Sequence, residues 1–188
     1  MKHAWVMVTA LALAHVDAAA AQSVQQKATS KTVSAAQVMR ELIAQTEKEM
    51  VGVAEEMPAD KYDFAPTQGL FRGVRTFAKQ IKHAAAVQHL AAASLLGEPI
   101  TAEMAEERGP DSAITKADIV KYLKDSFAAL NRAAGTIDEK NAFVPIKGAF
   151  GLNPETRVGT MMVALTHSSN HYGQMVEYLR MNGHAPPQ

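Results

Sequence analysis

The chain has 188 residues, 47% hydrophobic and 20% charged, with 19 basic and 19 acidic residues and no cysteine. That is the composition of one globular domain, and its zero net charge argues against a general nucleic-acid binder or a protein held on a membrane surface by charge. The missing cysteines exclude disulfides, thiolate metal sites and thiol nucleophiles, and the few aromatics beside abundant alanine favour helix over sandwich or barrel.

Met1-Lys2-His3 is a short basic start, Ala4 to Val16 is a mostly apolar run, and Ala18 to Ala21 supply small residues before Gln22. This layout predicts a secretory signal peptide over residues 1–21 and hence an exported, soluble product. The apolar run is 13 residues, shorter than the ~20 a membrane-spanning helix needs. Residues 22–33 are polar and read as a flexible lead-in, and residues 34–188 as the folded bundle.

Ser34 and Gln37 predict a capping box for a first helix. Met39, Leu42, Ile43, Thr46, Met50, Val53 and Met57 follow at helical spacing until Pro58. The methionines in that stripe read as core rather than as haem or copper ligands. A loop with Pro66, Gly69 and Gly73 leads to a second, alanine-rich helix from about Thr76 to Leu96, stopped by Gly97. Thr115 and Asp118 cap a third helix that Gly135 closes. The irregular, partly apolar stretch 136–151 is expected to fold over one end of the bundle. A fourth helix then starts at Asn153-Pro154, with Thr156 or Thr160 as alternative caps, and ends at Asn182-Gly183. Four amphipathic helices and no strand alternation predict an all-α four-helix bundle.

Seven histidines are present, two of them in the expected signal. His167 and His171 are four residues apart on the last helix, so both rings project from one face and can grip one metal ion. Thr160, Val163, Ala164, Gln174, Met175 and Tyr178 share that face, and most are core-type residues, so the pair points inward. Burial favours the neutral imidazole, which is also the form that binds metal. A third ligand has to come from another segment. His83 and His89 on the second helix are the candidates, about 120° apart around it, so only one can join a small site. Gln174 and Tyr178 are expected to line the pocket or to hydrogen-bond a ligand ring. Glu155 and Glu177 do not share the ligand face, so no carboxylate stands out as a general base.

Two blocks resemble the DinB family of metalloenzymes. One is His167-Ser-Ser-Asn-His171-Tyr172-Gly173-Gln174, with Tyr178-Leu179-Arg180, Gly183 and Pro186-Pro187 beyond it. The other is Met57-Pro58, Tyr62, Phe64 and Pro66, then Arg75-Thr76-Phe77, Gln80 and His83. The resemblance implies an up-down-down-up bundle, a homodimer, and a divalent metal (zinc, nickel or iron) held by His83, His167 and His171. It also implies small-molecule chemistry, since characterised relatives include thiol-dependent transferases and isomerases. Those relatives are cytoplasmic, and an exported protein lacks their thiol pool, which argues against thiol transfer here. The expected function is therefore a metal-dependent hydrolase or transferase. The alternatives are a non-catalytic metal-binding or interaction module, and a non-covalent haem bundle.

Overall fold

A computed structural model describes residues 32–187. The expected signal peptide and residues 22–31 of the lead-in lie outside the described residues. The chain folds as α1 (Ala35–Glu56), a single 3-10 turn (Ala59–Lys61), α2 (Phe77–Leu96), the short α3 (Ala102–Ala105), α4 (Lys116–Ala134) and α5 (Arg157–Met181). Each long helix opens on a hydroxyl residue whose side chain accepts an otherwise orphaned backbone N–H: Ser34, Thr76, Thr115 and Thr156. Thr115 and Asp118 form the full reciprocal box. Only half of the expected box forms at α1. Ser34 accepts the Gln37 N–H, but the Gln37 amide turns outward to Glu41.

Of the three candidate caps for α5, Asn153, Thr156 and Thr160, the structure selects Thr156. The Ile146 N–H donates to the Glu155 carbonyl, and Pro145 bridges Thr156 in antiparallel fashion. This holds the backbone extended through residue 156, so no helical turn can begin earlier and Thr156 becomes the cap. The buried Glu155 carboxylate accepts the Ala149 and Phe150 N–H groups and the Thr160 hydroxyl, which closes the loop over the helix start. Within stretch 136–151, Ile137 and Ala142 are buried and Ile146 and Phe150 pack on the core, while Phe143 and Val144 face solvent.

Polar contacts at the helix ends set the directions. Lys116 at the start of α4 donates to the Met57 carbonyl just past α1, and the Ala35 N–H at the start of α1 donates to Glu139 beyond α4. Arg157 at the start of α5 donates to the Leu95 carbonyl at the end of α2. Arg132 and Glu98 pair the ends of α4 and α2, and His184 and Glu56 those of α5 and α1. So α1 and α5 run one way and α2 and α4 the other.

Both α1 and α2 pack against α4 and α5. Helix α2 is buried nearly all round: Ala84, Ala85, Ala86, Ala91, Ala92 and Ala93 let its neighbours approach closely. Phe77, Phe127, Ile43, Met50, Leu123, Leu130 and Leu179 are among the side chains fully enclosed between the helices. Burial of each stabilises the fold by roughly 1.5–3 kcal/mol. Met39, Met50 and Met57 are core residues, as their spacing predicted.

One polar network crosses this core. The Gln88 amide, fully buried on α2, donates to Ser168 on α5 at 2.7 Å and accepts from Ser126 on α4 at 2.5 Å. Each serine also bonds a carbonyl of its own helix, Ser126 to Leu123 and Ser168 to Ala164. No helix among the described residues is long and apolar enough to cross a membrane.

Candidate metal centre

Three imidazoles converge beside that network. His83 comes from α2, and His167 and His171 come from successive turns of α5. The Nε2 of His167 lies 3.0 Å from the Nε2 of His83 and 3.1 Å from the Nε2 of His171. The three potential ligand atoms all fall within 4.8 Å of one another. Nitrogens bound at about 2.0–2.1 Å to one ion are about 2.9 Å apart at right angles and about 3.3 Å apart in a tetrahedron. The two separations at His167 fall between those limits. His83 and His171 are 5% and 7% exposed, and His167 is half-buried.

The outer nitrogens fix the protons. His83 Nδ1 lies 2.8 Å from the Glu107 carbonyl oxygen, which can only accept. The proton therefore sits on Nδ1, and Nε2 turns a lone pair inward. His171 Nδ1 donates in the same way to Gln174 Oε1 at 3.2 Å. That amide is oriented in turn by donating to Asn170 and by accepting from Gln80 at 2.6 Å. Two lone pairs thus face His167 Nε2, and a neutral ring has one N–H, enough for one of them. A proton cannot satisfy this centre evenly, whereas a cation can. Paired outer N–H groups are also how metal-binding histidines are commonly held. His167 Nδ1 is buried with no hydrogen-bond partner.

Burial pushes His167 and His171 down to about 4, helped by the other rings and by the Arg75 charge. In His171 the Gln174 bond opposes this shift. Both rings are accordingly neutral at neutral pH, which is the ligating form.

Two groups at the site, Glu107 and Gln80, were given no role from the sequence. Glu107 has φ 52°, the only non-glycine residue with positive φ among those described, and this conformation aims its carbonyl at His83. Its carboxylate also lies 3.7 Å from His83 Nδ1. A carbonyl contact carries no residue signature, so no motif points to it. Gln80 did leave a signal: it is a polar residue three before His83, one turn away on the same helix, and it is 4% exposed.

The structure brings His83 rather than His89 to the pair. His89 stacks against Tyr122 of α4, with ring centroids 4.8 Å apart. Tyr178 is buried, donates its hydroxyl to the Arg75 carbonyl at 3.1 Å and packs edge-on against Phe64. It ties the 58–76 loop to α5. Arg180 pairs with Glu177 on the surface.

A cleft of about 370 Å³ opens beside His83, lined by Arg75, Lys79, Lys82 and Glu107 among others. A larger groove of about 640 Å³, between α1 and Pro187, is lined by none of the three histidines.

None of the curated proteins compared matches this chain. Among the solved structures that share the fold are two from bacteria. One is a DinB-like protein from Bacillus subtilis, with a TM-score of 0.61 at 18% identity, covering 80% of this chain and 96% of that one. The other is a conserved protein from Enterococcus faecalis, with a TM-score of 0.59 at 16% identity, covering 78% and 96%. The family model described as the DinB superfamily matches residues 42–175, a span that holds most of the bundle and all three converging histidines. The chain belongs to the DinB superfamily.

Proposed function

We propose that this protein holds one divalent metal ion through the Nε2 atoms of His83, His167 and His171 and acts on a small molecule as a hydrolase or transferase. The observation that carries the metal reading is the pair of inward lone pairs on His83 and His171, fixed by Glu107 and Gln174. Bound there, zinc, nickel or iron supplies a Lewis acid that activates a water or thiol nucleophile toward an electrophile. The protein keeps His167 and His171 neutral by burial, orients the His83 and His171 rings, and opens a cleft beside His83. Gln174 orients His171, and Tyr178 supports the site by fixing the backbone at Arg75. The layout of residues 1–22 supports an exported protein, and export speaks against a cytoplasmic thiol as co-substrate. Kinship with the family supports a homodimer.

The test is elemental analysis of protein purified without a histidine tag. Wild type is expected to carry about one ion per chain, and the His167→Ala/His171→Ala variant none. Equal metal in both would remove the metal reading. A Soret band in the visible spectrum would substitute haem for it. Activity is then assayed on esters, amides and small electrophiles, with the triple histidine variant as control. Turnover by wild type alone supports an enzyme, and flat profiles in both support a non-catalytic metal-binding module.

A further inference from the structure

The start of α2 carries Arg75, Lys79 and Lys82 just ahead of His83, and all four residues line the 370 Å³ cleft. The cleft's cations are not equivalent. Arg108 is held by Glu106 and Asp111, and Lys82 reaches the Ala113 carbonyl. Among the described residues, Arg75 and Lys79 pair with no carboxylate, although Glu106, Glu107 and Asp111 line the same cleft. Arg75 and Lys79 thus stand without such a partner in the cleft that His83 lines.

The backbone is not available for the same task. The Phe77 and Ala78 N–H groups donate to the Phe64 and Tyr62 carbonyls, and the Lys79 N–H donates to Thr76. Any anion arriving here is met by side chains. Tyr178 fixes the backbone from which the Arg75 side chain extends. The positive charge of Arg75 acts on His167 and His171 and lowers the pKa of both. The volume suits a small ligand rather than a polymer, since such pockets typically span about 300–1,000 Å³.

We infer that this cleft is a substrate subsite in which Arg75 and Lys79 bind a carboxylate or phosphate group of a small molecule whose reacting end lies toward His83, His167 and His171. The inference rests on the proposed metal-dependent reading, because it makes the cleft that site's substrate approach. A guanidinium fork and a flexible ammonium four residues apart suit one planar or tetrahedral anionic group, held from two sides. Both side chains are exposed, so replacing them leaves the core intact.

The experiment is calorimetric titration of purified full-length protein with succinate, with inorganic phosphate and with neutral succinamide. Three proteins are compared: wild type, Arg75→Gln/Lys79→Gln and His167→Ala/His171→Ala, each with its metal content measured. Wild type is expected to bind succinate or phosphate and not succinamide. The Arg75→Gln/Lys79→Gln variant is expected to bind at least about tenfold more weakly, with unchanged metal content and thermal midpoint; this is the scale of losing charge-assisted hydrogen bonds. The His167→Ala/His171→Ala variant is expected to retain anion binding that the cation variant lacks. Failure of wild type to bind either anion, equal binding by the cation variant, or equal binding of succinamide overturns the subsite. Anion binding by all but the cation variant, with equal metal in wild type and the histidine variant, upholds the subsite and overturns the metal reading alone.

Discussion

Gln174 shows how much depends on one outer contact. It is exposed on α5, yet its amide oxygen receives both the His171 ring N–H and the Gln80 amide. Gln174→Ala is expected to leave the fold intact and to weaken metal binding about 10- to 100-fold, the usual cost of removing a partner that orients a ligand. Competition with a chelator measures it, and unchanged affinity would make Gln174 incidental. At this scale the sequence was informative where spacing implies geometry. His167 and His171 had to share a face because a helix turns once in about 3.6 residues. The choice between His83 and His89 was not legible, because α2 is enclosed on nearly every side and its apolar pattern marks no single face. Glu107 was invisible because its contribution is a carbonyl, placed by a left-handed backbone that the sequence does not announce.

Among the helices, register is the property to protect, because ligands on α2 and α5 meet only if the two do not slide. Gln88 bonds both α4 and α5 from inside the core, and Ser168 is the neighbour of His167. Gln88→Ala removes both bonds and leaves a cavity in the dry interior, a loss expected to be about 2–4 kcal/mol of stability. Urea unfolding measures this; a change below about 0.5 kcal/mol, the scale of ordinary surface substitutions, would assign the register to apolar packing alone. Helix boundaries were readable where the cap sits beside its helix, as at Ser34 and Thr115. The start of α5 was less so, because a bridge to residues 145 and 146, distant from the cap, decides it. The four residues of α3 are too few to show any periodicity.

For the whole molecule, burying two neutral histidines couples folding to acidity. Their folded values of about 4 lie below the ordinary 6.5, so between those limits the unfolded chain takes up more protons. The contribution is complete above pH 6.5 and is lost as pH falls toward 4. Thermal midpoints recorded in chelator are therefore expected to fall across that window, and to fall less in the His167→Ala/His171→Ala variant. Parallel curves would show that other groups control acid unfolding. The fold class was the most legible property of all. An alanine-rich, cysteine-free chain with four apolar stripes at helical spacing has few ways to bury them except against each other.

The three rings are not held alike. One is anchored to a loop and one to its own helix, while the ring of His167 ends in a buried nitrogen that touches nothing polar. Two jaws of the vice are bolted and the middle one is hinged. The orientation of that ring rests on packing and on the shared centre alone, without the outer anchor its two neighbours have.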